Sequence, residues 1–411
     1  MNKCVLTGDK INKIGSMKDL VKGRVDGSST NLGLVGKRAR NIYQYLISFI
    51  TKKSQLNEFL EHNNDFVPNR LREQLRDKIS MLVGLENDFN LESLTNYDLY
   101  YDENDSNSLR KLLLDGVNLD GLNFHSDEKG TLTPMQALCC IGNNNIREEE
   151  RTFKFIRALL AHLQVLSQKP EYKDKKLELV DAGTGPIPLF GLIAALYFDN
   201  VNSTCIELNS HSAEFARRFV KLHKLEDRIT IKEADAITYQ HEKEIDFLIT
   251  ETMFSGLTRE PMIQIMNNLS KQLVNDGNQR MMPEKIHLGY ELYDESDMES
   301  KSKIDFLKDP TKIGDIITID ENNLDLVDTN GFRFKIDVSN IQGNVRVAVF
   351  TTVDLFETEK LNPIIVYRHD STISRPNLVG DDEFIDVNGI TDLTVSYMPG
   401  DDEKNVHITK K

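Results

Sequence analysis

The stretch Leu177-Glu-Leu-Val-Asp-Ala-Gly-Thr-Gly-Pro-Ile-Pro-Leu-Phe-Gly191 decides how this chain is read. A short apolar run, Leu177 to Val180, delivers an acidic residue, Asp181, into a Gly-x-Gly turn at Gly183 and Gly185, and the apolar segment from Leu189 to Phe198 then predicts a helix. The order is strand, tight turn, helix. Glycines in such a turn permit backbone angles and a ligand approach that a side chain forbids, and in a doubly wound sheet this is where a nucleotide-like ligand binds.

Reading outward, a second short strand is predicted at Ser203 to Ile206, ending in Glu207, which lies 24 positions beyond Gly183. That is about where an acidic side chain is needed to accept hydrogen bonds from both hydroxyls of a ribose. A third strand, Arg228 to Ile231, ends near Glu233-Ala-Asp235, and a fourth, Ile245 to Thr250, is followed at once by Glu251. Four strand ends with acidic or glycine-rich loops make one crevice. The dinucleotide fingerprint wants a third glycine where this chain has Pro188, so a pyrophosphate would lose its close approach to the helix. A ligand without phosphates fits better, and S-adenosyl-L-methionine is one.

At this point the segment Thr250-Glu-Thr-Met-Phe-Ser-Gly-Leu-Thr-Arg-Glu260 resembles the double-glutamate loop of protein arginine N-methyltransferases, in which two glutamates nine positions apart follow the fourth strand, as Glu251 and Glu260 do. Upstream, Glu149-Glu-Arg-Thr-Phe-Lys-Phe155 is similar to the family's helix whose arginine holds the methionine carboxylate of the cofactor, which would be Arg151. Downstream, Met282-Pro-Glu-Lys-Ile-His-Leu288 resembles the segment leading into the family's C-terminal β-barrel. The resemblance is strongest over residues 146–293. It implies a Rossmann-like class I methyltransferase core of α/β class followed by a C-terminal antiparallel β-barrel or sandwich, and apolar spacing ahead of the core adds an N-terminal helical region. The expected domains are 1–130, helical; 131–282, binding S-adenosylmethionine; and 283–411, β-rich. The resemblance also implies a homodimer.

The rest of the chain agrees with that frame. At 411 residues it exceeds what one core normally supports. Its net charge of −15 repels phosphate backbones and anionic lipid and attracts cations, so neither nucleic acid nor membrane is an expected partner. Cys4, Cys139, Cys140 and Cys205 have no metal-ligand spacing and read as reduced thiols; no metal is expected. The first residues lack a continuous apolar core, so a cytoplasmic location is expected. Apolar residues recur at helical spacing from Ile42 to Leu82, and Arg147 to Leu166 is a helix with Phe155, Leu159 and Leu163 inward. Ser210 is the expected cap of the next crossover helix, and Pro261 to Leu273 is another helix. From Met282 onward the texture is β, interrupted by a charged insert at Asp294 to Lys312.

The chemistry follows from the residue types. Guanidinium is a poor nucleophile because its charge is delocalised and its protons are held tightly. Glu251 and Glu260, paired against it by charge-assisted hydrogen bonds, concentrate positive charge on some nitrogens and leave another with lone-pair density for the incoming methyl. A Glu-x8-Glu spacing alone is common among surface acids; its place directly after the fourth strand makes this one a candidate. Arg151, Asp181, Gly183, Gly185 and Glu207 are assigned to the cofactor, with Asp235 as a contact to adenine. The chain has no tryptophan, so the family's Thr-His-Trp loop is not present as such; the nearest match is Tyr367-Arg-His-Asp-Ser-Thr372, with Arg368 and His369 as candidates for the acceptor side. That difference points to free arginine or a small guanidine metabolite as acceptor. The alternatives are a protein arginine N-methyltransferase, and a catalytically silent cofactor-binding scaffold or partner subunit. Two buried acids that repel unless a cation sits between them speak against the last.

Overall fold

The computed structural model describes residues 67–82, 90–95, 113, 146–277, 280–294, 310–358, 361–366, 377–380, 384–402 and 405–411. The chain divides at Val67 into two units, and all that follows concerns the second, Pro68–Lys411. The helices expected between 37 and 66, three of the cysteines, Arg368, His369 and the body of the charged insert lie outside the described residues.

Five strands form a parallel sheet: β1 (Leu177–Ala182), β2 (Val201–Glu207), β3 (Ile229–Glu233), β4 (Phe247–Thr250) and β5 (Met281–Met282), in the order β3-β2-β1-β4-β5. The chain runs outward from β1 through β2 to β3 and then returns to the other side of β1, so the strand order reverses between β1 and β4. A crevice opens at such a reversal, outside the carboxyl ends of the strands. The register brings the chemistry to one level, because Ala182 lies between Ile206 and Thr250, and Glu207 pairs with Glu233. β1 and β4 are buried almost throughout, as a sheet covered on both faces requires.

Seven α-helices are described: α1 (Val67–Leu82), α2 (Leu91–Thr95), α3 (Ile146–Ser167), α4 (Leu189–Tyr197), α5 (Ser210–Leu222), α6 (Met262–Ser270) and α7 (Leu324–Asn330). α3 buries Phe155, Ile156, Leu159, Leu160 and Leu163, the stripe its spacing predicts. It is tied to α2 by Arg157, whose Nε donates to the Leu94 carbonyl at 2.8 Å. The cap of α5 is Asn209 and not Ser210: its side-chain oxygen accepts from the amides of His211 at 3.0 Å and Ser212 at 3.1 Å, so an asparagine one residue earlier takes the position. α6 stops at Ser270, short of Leu273, because Leu273 is drawn into a parallel bridge with Ile245, which likewise falls outside β4.

The C-terminal part is antiparallel. β6 (Lys285–Asp294), β7 (Lys312–Ile319), β9 (Asn344–Thr358) and β10 (Leu361–Val366) are ordered β10-β9-β6-β7, with β11 (Asn377–Leu378) and β12 (Ile385–Asp386) also on β9. β8 (Phe332–Asp337), β13 (Asp392–Tyr397) and β14 (His407–Lys410) make a second sheet. The described strands thus sort into two antiparallel sheets. α7, unanticipated in the sequence, packs on α6, where Asn267 donates to Asp328 at 2.7 Å. One apolar core runs from α1 through the parallel sheet into the antiparallel strands. At the joint, His162 of α3 lies tilted against Phe247 and edge-on to Phe356 and contacts the Leu355 carbonyl at 2.7 Å, and burial pushes it down to about 4, so it is neutral near pH 7. His287 is a satisfied side chain, 2.8 Å from Asp354 and 3.0 Å from Thr318.

Candidate active site

The carboxyl ends of β1 and β2 build one half of the crevice. Gly183 and Gly185 take φ of 80° and 69°, angles that side chains rarely adopt. Between them Thr184 turns back and donates to Asp181 at 2.7 Å. Asp181 is 1% exposed, and burial, aided by the neighbouring Glu207 charge and opposed by the Thr184 bond, pushes its carboxyl up to about 7. Glu207 at the end of β2 accepts from the Gly185 amide at 2.8 Å with one oxygen and from the Asn209 amide at 2.7 Å with the other. It therefore shapes the glycine turn, and a carboxylate offers about four lone-pair sites, enough to accept further donors. Asp235 stands apart: it is exposed and caps its own turn through the Ile237 amide at 3.0 Å.

The other half is the loop after β4. Thr250 donates to the Ala182 carbonyl at 3.0 Å and contacts the Thr252 hydroxyl at 2.9 Å. Thr252 lies over the glycine turn so closely that a Cβ on Gly183 would meet its Cγ2 at 2.2 Å. Only glycine lets the two halves touch. Beyond it, Met253 is buried, a 3-10 turn spans Ser255–Leu257, and Glu260 closes the loop. Burial raises the Glu260 carboxyl above its usual range, and the Arg151 charge opposes that rise.

Arg151 joins the halves to α3. It is 3% exposed and forms an ion pair through Nη1 with Glu251, whose side chain is 21% exposed. A guanidinium therefore already lies against one carboxylate of the loop and within electrostatic reach of the second. With five donors, one pairing does not exhaust it.

Of the residues singled out in the sequence, the fold gathers Arg151, Glu251 and Glu260 into one group and Asp181, Gly183, Gly185 and Glu207 into another, joined at Thr252. Thr184, Thr252 and Asn209 were missed. Thr184 and Asn209 carry a local signal, a hydroxyl three residues after Asp181 and an amide two after Glu207; Thr252 carries none, because its partner lies 69 positions away. Among the described residues, no group of three or more His, Cys, Asp and Glu is placed to hold a metal ion, and no helix is long and apolar enough to cross a membrane.

No family model matches the sequence, and no curated protein matches it. Similar solved structures include the Trypanosoma brucei PRMT1 enzyme-prozyme heterotetrameric complex with AdoHcy, at 15% identity over 60% of this chain and 84% of that one, with a TM-score of 0.42. Another is Arabidopsis thaliana protein arginine methyltransferase 10 in an open conformation, at 13% identity over the same shares, with a TM-score of 0.43.

Proposed function

We propose that this chain is an S-adenosylmethionine-dependent N-methyltransferase whose acceptor is a guanidino group, most simply free arginine or a small guanidine metabolite. The observation that carries the reading is the Arg151 group: of the two loop carboxylates, Glu251 is ion-paired with a guanidinium supplied by the chain itself, and Glu260 lies within electrostatic reach of it. Two acids so placed are complementary to an acceptor of the same shape and charge.

The donor set on the other side suits the proposed cofactor, whose role would be to supply an electrophilic methyl on a sulfonium. Glu207 has acceptor capacity for a ribose diol; the glycine turn lacks the Cβ atoms that would bar close approach; Arg151 can engage an amino-acid carboxylate; Asp181 holds Thr184 and the turn. In this reading Glu251 orients the acceptor guanidinium and withdraws its charge from the attacking nitrogen. Glu260, more basic than an ordinary carboxylate because it is largely screened from solvent, takes the proton that the nitrogen releases as its bond to the methyl carbon forms and the carbon–sulfur bond breaks, leaving a neutral thioether. Arg259, exposed beside Glu260 and 4.8 Å over the Phe254 ring, favours an acceptor with its own carboxylate and disfavours an arginine-rich peptide. Asp235 is retained as a contact to adenine at the rim, and Arg368 and His369 as further acceptor-side residues. The division into 1–130, 131–282 and 283–411 is proposed as one of function, with the second carrying the donor and the third enclosing the acceptor.

Mass spectrometry after incubation with labelled cofactor, comparing free arginine, arginine-rich peptides and whole-cell protein, tests the reading. Label in free arginine supports it, and label confined to protein or peptide moves the chain to the protein-methylating alternative. A homodimer is part of the proposal, and a fully active monomer by light scattering would remove that part.

A further inference from the structure

The glutamate loop has a costly backbone. Gly256 takes φ of 71°, but Leu257 at 58° and Arg259 at 65° are left-handed as well, and neither residue type favours that region. Such a shape persists only where its surroundings impose it.

Those surroundings come from the far end of the chain. The Tyr397 hydroxyl, at the end of β13, donates to the Gly256 carbonyl at 2.8 Å. In the turn that follows, the Gly400 amide donates to the Leu257 carbonyl at 2.8 Å, the Asp401 carbonyl accepts from the Arg259 amide at 2.8 Å, and the Pro399 carbonyl accepts from Gln264 Nε2 at 2.7 Å. Every left-handed residue of the loop is thus bonded to residues 397–401. The opposite side is closed by β9, where a Cβ on Gly256 would meet Val349 Cγ2 at 2.1 Å and Ser255 donates to the Val349 carbonyl at 3.4 Å. Tyr397 is itself fixed, its ring 4.9 Å from that of Phe332, and burial raises its phenol far above the usual range, so it remains a donor.

We propose that Tyr397 and the turn 398–401 are the positioning element of the glutamate loop: they hold the backbone between Glu251 and Glu260 and so set the spacing at which the two carboxylates meet a guanidinium. Tyr397 acts through Gly256 and touches no reacting atom. The catalytic consequence rests on the methyl-transfer reading; the mechanical one does not.

Hydrogen exchange of the full chain separates the two. Tyr397→Phe is expected to speed exchange in the peptide 251–260 about tenfold while β1 and β2 are unchanged. Val395→Ala, which removes buried volume two residues earlier in β13 without touching the hydroxyl, should lower the melting temperature yet leave 251–260 within about twofold of wild type. Equal exchange in Tyr397→Phe and wild type, or equal loosening in both variants, overturns the proposal. If Tyr397→Phe does not fold, Gln264→Leu, whose buried Oε1 has no hydrogen-bond partner to lose, gives the same comparison through the Pro399 contact. Turnover is the second readout: with saturating donor, Tyr397→Phe should lose about tenfold in kcat while S-adenosylhomocysteine affinity holds within about twofold. Unchanged kcat with a loosened loop overturns the positioning role. A wild type that methylates no guanidine overturns the methyl-transfer reading instead, and the exchange result then decides this inference by itself.

Discussion

The two ends of the parallel sheet treat buried charge in opposite ways. At the amino ends, Asp246, fully buried just before β4, accepts from the Tyr172 hydroxyl at 2.6 Å and the Glu178 amide at 2.8 Å, with Lys175 at 3.4 Å. Beside it Arg280 donates to the Asp246 carbonyl at 2.8 Å, grips Asp276 with two nitrogens, and lies 5.7 Å from the Tyr172 ring. Each charge there has an opposite charge or several donors. At the carboxyl ends, Asp181 is buried and Glu260 half-buried with less compensation, and both carboxyls are raised by the loss of solvent. A closed network stabilises a fold, whereas buried acids held short of compensation are poised for a ligand.

Substitutions at the two ends should therefore differ in kind. The largest effect is expected from Asp246→Ala, which strands two donors, the Tyr172 hydroxyl and the Glu178 amide, and should cost about 3–5 kcal/mol of stability, while the folded fraction binds S-adenosylhomocysteine normally. Denaturant melts beside calorimetry check it, and a donor-binding defect in folded protein would end the contrast.

Asp181→Asn should do the reverse. The folded carboxyl sits near 7 against an ordinary value of 3.8, so the folded chain keeps a proton that the unfolded chain has released, and stability is lost as pH rises from about 4 through 7. The amide removes that cost: a gain of up to about 4 kcal/mol at pH 8, vanishing near pH 3, is expected from melts at the two pH values. A loss at pH 8 would make Asp181 a structural anion like Asp246.

Glu251→Gln and Glu260→Gln are next, each expected to lower turnover about 100-fold, or about 2.7 kcal/mol, with donor affinity little changed. Stability should hold for Glu260→Gln, since the amide needs no counter-charge. A large fall in melting temperature without a fall in rate would assign the pair to packing. The smallest effect is that of Glu207→Ala, about tenfold in S-adenosylhomocysteine affinity by calorimetry, because the glycine turn loses one of its anchors along with the acceptor itself. Affinity equal to wild type would place the donor elsewhere.

Much of this was legible along the sequence. Asp181, the glycine pair and Glu207 sit at fixed offsets from apolar strands, and a parallel sheet converts those offsets into one level in space. The strands β1 to β4 were found to within two or three residues while the two-residue β5 was not anticipated, and where helix boundaries moved a specific bond explains it, the Asn209 side chain ahead of α5 and the backbone bridge at Leu273 beyond α6. The grip of Tyr397 on Gly256 had no local sign: it joins residues 141 positions apart, and a tyrosine in an alternating strand looks the same whether its hydroxyl meets solvent or a carbonyl.

Apolar period, turn glycines and strand-end acids are local quantities, and they were sufficient to determine a doubly wound sheet with a crevice at its carboxyl ends and a glutamate pair beside it. Tertiary structure alone decided what surrounds each charge. Arg151 meets Glu251 across 100 positions, Asp246 gains its donors while Asp181 keeps too few, and the C-terminal turn reaches back to hold the loop. The physical reason is that charge and burial act through space. A carboxylate's role depends on the dielectric and donors around it, and those come from whichever segments the fold brings near.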